Sequence, residues 1–263
     1  MKTIASYKKS FIGKTIIALT SAIICIGMIS SSALAADVTA SINVASAYVW
    51  RGQTFNDGAV VQPSIDVAAE NGLGINVWAN YDADDYNNTL DDHEFSEVDL
   101  TAIYGITLGK VDLGAGVIAY LFPASNNELH TSEVYLSAGL EIIEGLSASI
   151  TGYYDIDRFQ EFAYGTLGLT YGYDFSEELG LELGASIGYA GDEFAKAAGG
   201  ADGGMYDYTV SASMGYTISD AWSLSAGVTY VDAVDDDNLK DKAAGGLLDT
   251  NTYFYVGISY SFK

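Results

Sequence analysis

Cysteine is nearly absent from this 263-residue chain, and the one present, Cys25, lies within the first 35 residues. Everything after it can form neither disulfides nor thiolate metal sites, so redox chemistry of that kind is excluded. Proline is equally scarce, at two residues, and 11 basic side chains face 35 acidic ones. Four of the basic residues, Lys2, Lys8, Lys9 and Lys14, sit ahead of an apolar stretch from Ile16 to Ile29. The rest of the chain therefore sets seven cations against all 35 carboxylates, a balance that repels nucleic acid. No long apolar run follows residue 35 either, so any membrane-crossing part must consist of shorter, alternating β-strands.

The early lysines, the apolar stretch and Ala33-Leu34-Ala35 read as a secretory signal peptide over 1–35, cut before Ala36. Ala22, Ile23 and Ile24 give no small residue directly before Cys25, so no lipid anchor is expected. Residues 36–263 are then expected to form one β domain, exported through the general secretory pathway.

What this region has in abundance is glycine, tyrosine and period-2 alternation. The alternation and the turn signals predict about twelve strands. Their ranges are 38–51, 59–70, 73–82, 94–108, 111–122, 132–143, 146–157, 162–174, 179–190, 205–218, 221–232 and 251–262. Short connectors such as Asn71-Gly72, Gly109-Lys110 and Glu144-Gly145 alternate with longer ones, including 83–93, 191–204 and 233–250. An even strand number with short turns at one end and longer loops at the other is the pattern of an antiparallel, up-and-down outer-membrane barrel.

The charges sharpen that expectation. One phase of each strand is free of them, as in Leu73, Ile75, Val77 and Ala79, or Leu179, Leu181, Leu183, Ala185 and Ile187. The opposite phase carries Asp66, Asp99, Asp112, Glu133, Glu141, Asp155, Glu182 and Asp207. Because a lipid-facing Arg or Lys costs about 2–4 kcal/mol at the bilayer midplane, and an acid somewhat less, this segregation suits a bilayer outside and water inside. Aromatic residues on the apolar phase form two expected girdles. Tyr48, Trp50, Tyr81, Tyr154, Tyr189, Tyr206, Tyr208, Tyr230 and Phe254 belong to the loop end, and Tyr104, Tyr171, Tyr173, Tyr216, Trp222, Tyr260 and Phe262 to the turn end. The last strand, TYFYVGISYSF, resembles the C-terminal signal read by the outer-membrane assembly machinery, although Lys263 follows its final aromatic residue.

Several segments also resemble the TorF-type family of small exported porin-like barrels: SAYVWRGQTFNDGAVVQPSIDVAAENGLGINVWANY, EFSEVDLTAIYG, VDLGAGVIAYLFP and TSEVYLSAGL. The resemblance is best over 43–157 and implies an outer-membrane channel.

By height, the inward phase divides into a turn-end half of small or polar groups and a loop-end half of bulky and charged ones. The expected constriction comprises Arg51, Trp78, Asp82, Glu97, Asp99, Tyr120, Glu133, Tyr153, Asp155, Asp207, Tyr253 and Tyr255. A carboxylate-rich ring concentrates cations, so a passive channel for small polar solutes with cation preference is the leading expectation. A closed structural or adhesive barrel is the alternative. A lipid-modifying enzyme is a distant third: the two histidines, His93 and His130, lie in loops near Ser96 and Ser132, and no Gly-x-Ser-x-Gly elbow is present.

No cofactor is expected. The clusters Asp82, Asp84, Asp85, Asp91 and Asp92, and Asp235, Asp236, Asp237 and Asp241, offer oxygen ligands for Ca²⁺ or Mg²⁺ but lack the EF-hand spacing, and a diffuse anionic surface is the simpler reading. The expected surroundings are outer-membrane lipid and lipopolysaccharide. Within the constriction Arg51 is a lone cation, expected to point into the lumen, pair with an acid of the third, fourth or seventh strand, and neighbour Tyr253 and Tyr255.

Overall fold

The computed structural model describes residues 36–84, 93–125, 129–198, 200, 202–234, 248 and 251–262. The segment expected to be a signal peptide lies outside these residues, as do the acids at 85, 91, 92, 235–237 and 241. The strands in chain order are β1 (Ala36–Ala45), β2 (Tyr48–Trp50), β3 (Gln53–Asn56), β4 (Val60–Ala69), β5 (Leu73–Asp82), β6 (Glu94–Leu108) and β7 (Val111–Phe122). They continue as β8 (Leu129–Ile143), β9 (Leu146–Asp155), β10 (Ala163–Asp174), β11 (Leu179–Ala190), β12 (Gly204–Thr217), β13 (Trp222–Ala233) and β14 (Thr252–Phe262). A six-residue helix, α1 (Asp192–Ala197), lies between β11 and β12.

Twelve of the strands form a closed antiparallel barrel in sequence order, sealed by the pairing of β1 with both β4 and β14. Closure leaves no unpaired sheet edge. Short turns hold one end together: Leu108 pairs with Val111 across Gly109-Lys110, and the φ of +68° at Gly109 suits the first position of a two-residue hairpin turn.

The outer surface is a belt of exposed aliphatic side chains, among them Ile42, Ile65, Leu100, Ile150, Leu167, Val210 and Val256, with Leu136 at 69%. A water-soluble barrel would bury this phase, and here it faces outward. Tyr104, Tyr171, Tyr173, Tyr216, Trp222 and Phe262 are exposed at the turn end. Trp222, Tyr260 and Phe262 form a run of ring contacts at 4.8 Å spacing. Tyr154, Tyr189, Tyr230 and Phe254 are exposed at the loop end. There Asp232, on the strand phase of Tyr230, is buried and accepts hydrogen bonds from Tyr230 at 2.7 Å and Asn251 at 3.2 Å, which offset its charge.

Inside, small polar side chains meet across strands at the turn end, with Ser41 to Ser64 and Ser223 to Ser259 both at 2.7 Å. Larger rings higher up are accommodated by glycines. Gly116 pairs with Tyr135 and Gly227 with Tyr255, and a Cβ at either glycine would stand 2.5 Å from the ring opposite.

Eleven of the expected strands match the observed ends to within three residues; the expected strand over 38–51 does not. The wall strand stops at Ala45, and Ser46 Oγ accepts from the Phe254 amide at 3.0 Å as the chain bends. The next residues form a separate two-stranded sheet, β2 with β3. Tyr48 is buried and Trp50 partly so, both against inward-facing residues, so neither belongs to the outer girdle. Tyr206 does not belong to the outer girdle either. A register shift between Ile187 and Tyr189 accompanies its burial, at 1% exposure, against Phe194.

Candidate functional site

The site begins with a tight hairpin. Trp50 pairs with Gln53 around Arg51 and Gly52, whose φ angles of 48° and 71° define a turn with two left-handed residues. Glycine adopts that conformation freely, whereas arginine does so at a cost of about 1–2 kcal/mol. The hairpin folds inward from the top of β1, and Arg51 reaches strands β8 to β10, which lie across the barrel from β1 in the strand order.

There the guanidinium meets Glu133 in a bidentate pair, Nη1 to Oε1 and Nη2 to Oε2, both at 2.7 Å. The two side chains are only 7% and 5% exposed. Tyr120 Oη donates to the same carboxylate at 2.9 Å. Four rings surround the guanidinium, with Cζ at 4.2 Å from the centroid of Trp50, 4.4 Å from Tyr153, 4.7 Å from Tyr164 and 5.8 Å from Phe194. Glu133 belongs to the sixth barrel strand, not to the third, fourth or seventh from which a partner is expected. Tyr253 and Tyr255 are not among these rings. Tyr255 packs against the cluster of Ala45, Tyr48 and Val60, and Tyr253 against the cluster that contains Tyr164, Phe194 and Tyr206.

The flanks of the hairpin dock on other acids. Tyr48 Oη donates to Glu97 Oε2 at 2.8 Å, and its ring lies 5.5 Å from Trp78. Asn56 Nδ2 donates to Asp82 Oδ1 at 2.8 Å, and Asn80 Nδ2 to the same oxygen at 2.9 Å. Asp82 Oδ2 and Asp99 Oδ1 are buried without a hydrogen-bond partner among the described residues. Two expected constriction acids have defined local duties. Asp155 accepts from Thr131 at 2.5 Å and from the amides of Asp157 and Phe159, which fixes the start of the next loop. Asp207 accepts from Tyr164 Oη at 2.7 Å.

The loop after β11 also turns inward. Phe194 of α1 is buried against Tyr164 and Tyr206, and its ring centroid lies 6.1 Å from Trp50. Trp50 in turn lies 6.0 Å from Tyr120 on the wall. Hairpin, helix and wall thus join in one aromatic layer across the bore. Sequence reasoning missed Tyr48, Trp50 and Phe194 as lumen residues. The one available signal was Arg51-Gly52, a pair compatible with a two-residue turn inside an apparently continuous strand.

Among the described residues no group of three or more acids, histidines or cysteines is disposed to hold a metal. His130 Nε2 lies 3.8 Å from Asp157 on the exposed rim, and Ser96 Oγ accepts from Asn80 at 3.0 Å.

Among solved structures the fold is similar to that of the KdgM porin, at 14% identity and a TM-score of 0.54, covering 86% of this chain and 99% of that one. KdgM has also been solved in complex with disordered oligogalacturonate. The NanC porin matches at 12% identity and a TM-score of 0.53, covering 87% of this chain and 100% of its own. An outer membrane channel from Pseudomonas putida F1 matches at 11% identity and a TM-score of 0.53, covering 91% of this chain and 100% of its own. No curated protein matches the sequence. A family model described as bacterial protein of unknown function (Gcw_chp) matches residues 30–262, and the chain belongs to that family.

Proposed function

We propose that the chain is an outer-membrane channel for passive diffusion of small polar solutes, with a preference for cations. Its exposed aliphatic belt and aromatic girdles suit the lipid and lipopolysaccharide of that membrane, and its C-terminal strand suits recognition by the assembly machinery. The observation that carries the reading is the charge of the inward face. Asp66, Glu97, Asp99, Glu133, Asp155, Glu182 and Asp207 lie on the lumen phase of their strands, while Arg51 already spends its charge on Glu133. An anionic lumen raises the local concentration of cations and repels anions. Such a lumen is a poor match for an acidic oligosaccharide of the kind bound by KdgM. The constriction of the proposal is the layer formed by the hairpin, α1 and the tyrosines of β7 to β10.

The aromatic contacts across the bore favour a second reading, a barrel whose lumen is closed at rest. Single-channel recording in planar bilayers separates the two. The channel reading expects discrete conductance steps, and in a KCl gradient a reversal potential of the sign for K⁺ over Cl⁻. Absence of steps supports the closed barrel, and a reversal potential of opposite sign overturns the cation preference.

A further inference from the structure

Arg51 occupies a site that the barrel wall builds largely without it. Glu133 is held by Tyr120, and Tyr164 is held by Asp207, through hydrogen bonds in which the hairpin takes no part. With Tyr153 these groups come from β7, β8, β9, β10 and β12, all strands of the closed barrel. The hairpin supplies only the guanidinium and the Trp50 ring. It belongs to a sheet of its own, outside the twelve-strand ladder, so its withdrawal breaks no wall pairing.

We propose that Glu133, Tyr153 and Tyr164 form a binding site for planar, delocalised cations of the guanidinium type, occupied in the resting barrel by the chain's own Arg51. Solutes of that class compete with Arg51 and displace the hairpin. As a statement about transport this deepens the channel reading and rests on it; as a statement about binding it stands alone.

Three features give the ligand class. The carboxylate receives two parallel N–H bonds at 2.7 Å, a fork that a planar guanidinium makes and a compact ammonium does not. The rings of Tyr153 and Tyr164 lie 4.4 and 4.7 Å from the central carbon, within cation–π range. The arginine also sits at φ 48°, in a turn whose preferred residues are Asn, Asp and Gly. Its side-chain contacts therefore outweigh its backbone preference.

The test is Arg51→Asn, which gives the turn a residue it favours while removing the guanidinium. The full barrel is folded in detergent micelles and titrated calorimetrically with methylguanidinium, with methylammonium at equal ionic strength as control. Arg51→Asn is expected to bind methylguanidinium at least tenfold more tightly than wild type does, and more tightly than it binds methylammonium. Adding Glu133→Gln should abolish the gain. Equal affinities in variant and wild type, or binding that survives Glu133→Gln, overturn the proposal. Should Arg51→Asn not fold, Arg51→Gly serves the same purpose, because glycine tolerates this φ without strain.

The wild-type chain carries a second readout. Excess methylguanidinium should speed chymotryptic cleavage after Trp50 at least fivefold relative to methylammonium, and an unchanged rate overturns the displacement. Conductance in KCl without guanidinium binding would leave the channel and remove the site; binding without conductance would do the reverse.

Discussion

Replacing Glu133 with alanine should open the lumen while leaving the barrel intact. Arg51 and Glu133 are 7% and 5% exposed and joined by two 2.7 Å hydrogen bonds. Removing one partner of a buried pair costs about 3–5 kcal/mol, because the other charge is left in a low-dielectric site. The barrel ladder does not carry that loss, since the hairpin lies outside it. Undocking the hairpin returns Arg51 to water at the expense of its ring contacts, of the bond from Tyr48 to Glu97 and of that from Asn56 to Asp82. At 1.4 kcal/mol per tenfold, the ratio of undocked to docked hairpin rises by about 10² to 4 × 10³. In planar bilayers, Glu133→Ala should raise mean conductance and open time well above wild type. Its thermal midpoint, followed by circular dichroism, should move by only a few degrees. Glu133→Gln keeps one acceptor oxygen and should fall between. The reasoning is refuted if Glu133→Ala conducts as wild type does, or if its midpoint falls as far as loss of the whole 3–5 kcal/mol from the barrel requires, because either result makes the pair a brace of the wall.

Two further substitutions test the wall itself. Gly116→Ala drives a methyl group into the Tyr135 ring and the Ala102 carbonyl, and should destabilise the barrel by about 1–3 kcal/mol in urea unfolding from lipid vesicles; Gly105→Ala, whose nearest neighbour would be an ordinary 3.8 Å away, should be close to neutral, and equal losses would contradict the ring-over-glycine packing. Leu136→Lys places a charge on the apolar belt and should cost about 2–4 kcal/mol in the same assay, whereas the adjacent, inward Ser137→Lys should cost little; comparable losses would mean that the outer face does not meet lipid.

Eleven of the twelve wall strands are legible over nearly their full length because each is decided by local pattern. Alternation with period 2 fixes which side chains share a face, and apart from the closing pair β1–β14 each wall strand pairs with the wall strands next to it in the chain. Leu179–Ala190 and Leu73–Asp82 run over the ranges that their alternation and flanking turns define. The charge segregation was legible for the same reason, since a one-residue error of phase would have put Asp99 or Glu182 into the belt.

The hairpin was not legible, because its identity depends on a partner 82 residues away along the chain. The alternation of Tyr48, Trp50 and the preceding apolar residues is equally consistent with a wall strand facing lipid and with a hairpin burying both rings in the lumen. Ser46 decides between them by hydrogen-bonding Phe254 from β14, and Glu133 holds the result from β8. Strand phase points Arg51 inward, yet the position it takes against Glu133 follows from the turn. Had 48–51 continued β1, its guanidinium would have entered from the near wall, beside Tyr253 and Tyr255. Carried by a turn across the bore, Arg51 meets Glu133 on the far side, and so ties a hairpin that lies outside the wall ladder to the opposite wall.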